Sequence, residues 1–226
     1  EFGYGYKAQK FSLKMNIYAT KWEDKGLLSP RVTINGVSTR SAIRGQDALH
    51  KGLELEFNTK FTPKLDIGGL MSFGDWRWAN DVTAELRSDV ENSPIISVDV
   101  YSGNVLIGNH PQTQLGVKGR YQINNTLDVG GQYIYNAKLY SDYNVTGRGD
   151  FGSRNIQPHQ LDSYGVLDLR IGAKFNLGSL GAYAQVQGYN ILDELYWARG
   201  IEGSNDLKEG FPSYGRTLNF SIKLNF

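Results

Sequence analysis

Thr217-Leu218-Asn219-Phe220-Ser221-Ile222-Lys223-Leu224-Asn225-Phe226 places an apolar residue at every second position for ten residues. Successive side chains of a β-strand point to opposite faces, so this stretch builds one wholly apolar face and one wholly polar face. A helix would scatter the same residues around its circumference. Thr217–Phe226 therefore reads as a two-faced strand, and the question becomes what solvates each face.

The same period of two recurs towards the N-terminus. Leu167, Leu169, Ile171, Ala173 and Phe175 alternate with Asp168, Arg170, Gly172 and Lys174. Ala182, Ala184, Val186 and Gly188 alternate with Tyr183, Gln185 and Gln187. Leu127, Val129, Tyr133, Tyr135, Ala137 and Leu139 oppose Asp128, Gln132, Asn136 and Lys138, and Leu115, Val117 and Tyr121 oppose Gly116, Lys118 and Arg120. Leu65, Ile67, Met71 and Phe73 oppose Asp66, Gly68 and Ser72, with Leu70 breaking the pattern. Leu53, Leu55 and Phe57 oppose Glu54 and Glu56, and Phe11, Leu13, Met15, Ile17 and Ala19 oppose Ser12, Lys14, Asn16, Tyr18 and Thr20. With a short opening piece at 1–6, nine strands are predicted. Their links alternate between short (7–10, 59–64, 122–126, 177–180) and long (23–45, 77–112, 141–162, 191–213). Short turns at one end and long loops at the other are the layout of an outer-membrane β-barrel. A water-soluble β-sandwich also alternates, but rarely gathers every long loop at one end.

Composition agrees. No run of about 18 apolar residues exists to form a transmembrane helix, and the mean hydropathy is -0.42. A barrel that alternates lipid-facing and lumen-facing residues has such a polar average. The chain of 226 residues carries 14 Tyr, 10 Phe, 4 Trp and 27 Gly with 6 Pro, the aromatic and glycine usage expected of membrane strands and their girdles. The absence of Cys excludes thiol catalysis, Cys-ligated zinc and disulfides. A net charge of +1 gives no basic excess for nucleic acid. Glu1-Phe2-Gly3-Tyr4 begins inside a strand-like pattern without a signal peptide. Nine is odd, and single-chain bacterial barrels have even counts. The expectation is therefore a C-terminal part of a larger barrel, with its other strands upstream.

Four segments carry a resemblance to a known family. Tyr214 to Phe226, ending on an aromatic residue, looks like the C-terminal signal read by the barrel assembly machinery. Gly188-Tyr189-Asn190-Ile191-Leu192-Asp193-Glu194-Leu195-Tyr196 is similar to the N-L-F-D-x-x-Y segment of TonB-dependent transporters, with Ile191-Leu192 in place of Leu-Phe. Gly3-Tyr4-Gly5-Tyr6-Lys7 followed by Asn16, Tyr18, Thr20, Trp22 and Asp24 resembles that family's E-x-G-Y … N-A-Y-Y-T-x-W-x-D hairpin, and His50-Lys51-Gly52-Leu53-Glu54-Leu55-Glu56 its x-x-G-x-E-x-E strand. The flavour is that of Bacteroidetes receptors. The resemblance implies an all-β antiparallel transmembrane barrel of about 22 strands, of which residues 1–226 would be roughly the last nine. The plug domain and the upstream strands would lie outside this chain. It also implies a cell outer membrane location and import of a bulky, scarce solute (siderophore, cobalamin, glycan or peptide). Implied partners are the rest of the barrel and plug, membrane lipid and lipopolysaccharide, and the TonB–ExbB–ExbD complex acting on the missing N-terminal region. A SusD-like surface lipoprotein is left open, and neither a cofactor nor a metal is implied.

Candidate site residues are few. Trp76 and Trp78 share a face and enter a long loop, which suits a ligand-stacking platform, although Tyr and Trp near strand ends more commonly form an interfacial girdle. His110 and His159 lie at loop-to-strand junctions, where loops can bring such residues together to hold iron or haem. Single loop histidines are usually only solvated, and neither these nor His50 shows the i, i+4 spacing of a helical metal site. Gly147-Arg148-Gly149-Asp150-Phe151-Gly152 spells G-x-G-x-x-G, but no helical period follows it, so it reads as a glycine-rich loop rather than a dinucleotide site. Glu54, Glu56, Asp66, Asp128 and Asp168 read as a polar lumen wall paired with Lys14, Lys51, Lys118, Arg120, Arg170 and Lys174, in preference to a catalytic acid pair. Two competing functions remain. A barrel enzyme needs a nucleophile beside a base, and no Ser–His neighbour pattern or G-x-S-x-G is present. A passive porin would lack an upstream plug.

Overall fold

In the computed structural model, residues 1–28, 32–34, 37–88, 90, 92–202 and 207–225 are described. The strands run in chain order as β1 (Phe2–Lys7), β2 (Phe11–Leu28), β3 (Val32–Ile34), β4 (Val37–Thr62), β5 (Leu65–Trp78), β6 (Val82–Ser88), β7 (Ile96–Val100), β8 (Thr113–Gln122) and β9 (Leu127–Ala137). They continue as β10 (Leu139–Tyr140), β11 (Gln160–Leu161), β12 (Tyr164–Leu177), β13 (Leu180–Tyr189), β14 (Trp197–Glu202), β15 (Leu207–Pro212) and β16 (Thr217–Asn225). One continuous sheet has the order β1-β2-β4-β5-β8-β9-β12-β13-β16, each strand antiparallel to its neighbours. These are the nine strands read from the alternation, except that the 127–139 run breaks at Lys138, whose φ is +54°, and Leu139 belongs to β10. Phe226, the aromatic end of the last one, lies outside the described residues.

Register turns the alternation of single strands into faces of a sheet, because directly opposed residues project to the same side. One row runs Leu65, Tyr121, Val129, Ile171, Val186, Phe220, and another Tyr6, Leu13, Phe57, Gly69, Val117, Tyr133, Leu167. The intervening rows are polar, such as Asn16, Glu54, Ser72, Gln114, Asn136. Leu70 belongs to the polar face, in a row with Glu56, Gly116 and Ile134, and its side chain covers Gly116. Lys51 departs the other way: it is aligned with Ala19 and Asp75, out of phase with the wall carboxylates Glu54 and Glu56.

The apolar face is bare. Ile17, Val117, Ile171 and Phe220 are 49%, 52%, 48% and 63% exposed, although a sheet of a water-soluble domain would cover such a face. A recess of about 630 Å³ is lined from the opposite, polar face by residues of β1, β2, β4, β5, β8, β9, β12 and β13. A hollow bounded by that many strands means that the sheet curves round its polar side. β1 and β16 each pair with one strand among the described residues, so the sheet stays open.

The connections divide as expected. Turns at 8–10, 63–64, 123–126 and 178–179 close the strands at one end. At the other end the long links are more ordered than loops. β2 and β4 extend well past their neighbours and pair with each other as far as Leu28 and Ala42. A β6–β7 hairpin adds to the outer part of β4, and β14–β15 forms a separate hairpin. The buried apolar clusters lie here: Ile43, Ala84, Val100 and Val145 in one, and Ala48, Trp78, Val105 and Ile107 in the other. The core of the described residues is thus a cap at the long-loop end.

Candidate functional site

The polar wall is pinned by ion pairs and amides. The Asp128 carboxylate, fully buried, meets Arg170 at 2.9 Å and Arg120 at 3.2 Å and accepts from the Tyr183 hydroxyl at 3.2 Å. Two guanidiniums and a hydroxyl offset the cost of burying that charge. Lys118 approaches Glu56 at 3.7 Å. Asp168 is held by neutral donors, the Gln132 amide and the Asn190 backbone N–H, both at 2.9 Å. These are wall contacts between nearby strands.

At the long-loop end of that same polar face sits an aromatic and imidazole group. Thr20, His50 and Trp76 are aligned across β2, β4 and β5. The His50 ring stacks on Trp76 at 5.2 Å between centroids and 13° between planes. His110 approaches Trp76 at 6.2 Å and 63°, and the Trp76 indole N–H donates to the Tyr18 hydroxyl at 3.0 Å. The Trp76 backbone is locked through Gln112, whose side chain accepts from the Trp76 N–H at 3.1 Å and donates to its carbonyl at 3.2 Å. Trp76 is half-buried and His110 exposed, so the group is open to a solute. The His50 Nε2 atom is buried with no hydrogen-bond partner.

Of the four candidates, the structure brings Trp76 and His110 together; Trp76 also packs against the buried cluster that contains Trp78. Trp78 is 6% exposed. Residues 104–107 return along the outer end of β5, exchanging backbone hydrogen bonds with Trp78, so Val105 and Ile107 pack on its ring. Tyr143 meets it edge-on at 6.2 Å. Trp78 is therefore a core residue of the cap, which corrects its reading as a ligand platform. His159 is exposed and appears in none of the ring contacts around Trp76. Its carbonyl accepts from the Ser141 N–H at 2.9 Å. Tyr18 and His50 are the residues missed. The signal was available, since Tyr18 and His50 fall in the same alternating phase as Trp76, but the pairing that sets His50 opposite Trp76 is not in the sequence.

The cap over this end is welded from three segments. Tyr143 donates to the Gln46 side chain at 3.1 Å, and burial pushes its phenol up to about 12. Residues 145–148 and 151–155 form two short 3-10 turns, with Asn144 and Asp150 side chains accepting from the N–H groups of Thr146 and Gly152. The G-x-G-x-x-G stretch is thus two turns and offers no helix N-terminus. Arg148, 2% exposed, pairs with Glu202 of β14 at 3.0 Å and donates to the Ser153 carbonyl at 2.7 Å. Asn109 donates to Asp142 at 2.5 Å and accepts from the Gly200 N–H at 2.9 Å. Segments 101–112 and 141–157 and the β14–β15 hairpin are tied together by these contacts.

No family model matches the chain, and no curated protein matches it. Solved structures do. The siderophore receptor PiuA from Acinetobacter baumannii superposes at a TM-score of 0.60 and 17% identity over 97% of this chain and 27% of the receptor. The ferric-catecholate import receptor Fiu from Escherichia coli K12, in its closed form, gives 0.61 and 16% over 99% of this chain and 27% of its own. FpvA of Pseudomonas aeruginosa, bound to a pyoverdine–iron complex, gives 0.54 and 16% over 97% and 32%. The chain has the fold of part of the β-barrel of such receptors and spans about a quarter to a third of their length.

Proposed function

We propose that these strands form part of the barrel of an outer-membrane active transporter that binds a bulky, scarce solute at its extracellular mouth. The observation that carries the reading is that 99% of the chain aligns with the closed form of an import receptor at a TM-score of 0.61. The exposed apolar face supports a lipid surround. The Trp76, His50, His110 and Tyr18 group supports a binding role at the mouth, because the half-buried Trp76 ring and the exposed His110 imidazole beside it offer stacking and hydrogen bonding to one solute. Energy would come from the TonB–ExbB–ExbD system through a segment outside this chain.

Ferric chelates are the first solutes to test, since the similar structures are siderophore receptors. The full-length protein would be titrated with a panel of ferric catecholates and hydroxamates, following tryptophan fluorescence, and radio-iron uptake would be measured in cells. We expect saturable binding of one chelate class, weakened in Trp76→Ala and His110→Ala, and uptake that stops when the inner membrane is de-energised. Uptake that continued without energy would favour the porin reading, and an absence of binding across the panel would remove iron chelates as the substrate class.

A further inference from the structure

Pairing of β5 with β8 stops at Phe73 and Thr113, and Pro111 has no N–H with which to carry it further. The side chain of Gln112 takes over. Its amide oxygen accepts from the Trp76 N–H at 3.1 Å. Its amide nitrogen donates to the Trp76 carbonyl at 3.2 Å and to the Ile107 carbonyl at 3.4 Å. The Ile107 N–H in turn reaches the Trp76 carbonyl at 2.9 Å. Residues 108–111 are therefore a loop with both feet on Trp76, clasped by the amide of a residue that is 2% exposed.

The far side of the loop is fixed as well. Gly108 lies against the Ser141 carbonyl with no room for a Cβ. Asn109, in the left-handed region with a φ of +60°, donates its N–H to the Tyr140 carbonyl at 2.7 Å. His110 is the exposed side chain of the loop, and its ring stands 6.2 Å from that of Trp76. The His110 Nδ1 atom lies 3.3 Å from the Gly108 carbonyl oxygen. A carbonyl partner selects the neutral tautomer that carries its proton on Nδ1, which leaves Nε2 as a hydrogen-bond acceptor.

We propose that Gln112 is a positioning residue of the binding site at the mouth: its amide clasp holds the 108–111 loop so that the His110 acceptor, Nε2, stays beside the Trp76 ring. The inference rests on the binding role proposed above. A solute group stacked on Trp76 would meet that acceptor with an O–H or N–H donor. Other side chains do not reproduce the clasp. Met has the length alone, and an ionised Glu has the length and the acceptor but cannot donate to the two carbonyls. His50 provides an internal control, because its place beside Trp76 is set by the pairing of β4 with β5 and not by Gln112.

A protonated imidazole quenches the emission of an adjacent indole, so the pair reports its own geometry. In the full-length protein, Trp76 emission would be taken as the difference from Trp76→Phe and followed as the imidazoles are protonated. The part of the quenching that is absent in His110→Gln belongs to His110. Gln112→Met and Gln112→Glu should both lose that part and keep the remainder. Its retention in either variant would overturn the proposal. Cap proteolysis as fast as in Trp78→Ala in both variants would do so too, by making Gln112 a residue of the cap alone. A ferric catecholate or hydroxamate that binds wild type should bind Gln112→Met several-fold more weakly. Gln112→Met combined with His110→Gln should bind no more weakly than His110→Gln alone, whereas additive losses would show that Gln112 does not act through His110. An absence of binding across those chelates would bring down the chelate reading, and the emission would still decide whether Gln112 places His110.

Discussion

Ile171 and Gly172 are neighbours in sequence with opposite surroundings. Ile171 lies between Val129 and Val186 on the exposed apolar face. An Arg there should cost about 2–4 kcal/mol when that face meets lipid. A refolding titration in which Ile171→Arg matched wild type would mean that this face does not see lipid. Gly172 is limited by space, because the Tyr183 phenol lies over it and is held by Asp128 and Arg170. Even Gly172→Ala should displace that phenol, so its loss of stability should persist whatever lipid or detergent surrounds the barrel. Trp76 and Trp78 show the same contrast. Trp78→Ala empties a packed site and should destabilise the cap by about 3–5 kcal/mol, measured as faster proteolysis of the cap. Trp76→Ala, half-buried against the same cluster, should speed proteolysis less than Trp78→Ala and weaken ligand binding as well.

Among the elements, the membrane-length parts of the strands follow their local pattern, whereas the long links obey tertiary demands. The alternation of Leu167 to Phe175 is enough to place β12. Nothing local in residues 197–212 reveals that Gly200 and Glu202 tie β14 to Asn109, Asp142 and Arg148. Glu202→Gln removes the carboxylate facing a guanidinium that is 2% exposed. Stripping one partner from a buried pair costs about 3–5 kcal/mol. That variant should release the β14–β15 hairpin and the 141–157 segment together, read as a joint rise in their amide hydrogen exchange with the nine-strand sheet unchanged. Exchange that rose in the hairpin alone would show that the two segments are not coupled through this pair.

For the whole molecule, the open sheet sets the behaviour of the isolated chain. β1 and β16 present backbone N–H and C=O groups along their free edges, and lipid offers them no partner. Residues 1–226 expressed alone should aggregate, and a protease-resistant, heat-modifiable monomer would show that nine strands close by themselves. In the complete protein the short turns should face the periplasm. An impermeant thiol reagent on intact cells should then label Phe151→Cys, which is exposed on the cap, and spare Asn125→Cys in the 123–126 turn. The reverse pattern would invert the orientation.

The sequence by itself determined the nine strands, their two faces and the end at which the links are short. Each follows from a period of two that every strand carries locally, and a one-residue slip would turn Ile171, Val129 and Phe220 into the polar wall. Trp76 and His110 were also legible as candidates, because aromatic and imidazole residues at loop margins are uncommon enough to stand out. Only the tertiary structure decided that Trp78 is core, that His50 and Tyr18 join Trp76, and that Arg148 ties its own loop to Glu202. Those outcomes depend on residues 54 or more positions apart in three of the contacts involved, Trp76 with Tyr18, Arg148 with Glu202 and Tyr143 with Gln46. Contacts of that kind are set by how the cap folds back over the sheet, and no periodicity within one segment encodes where another segment lands.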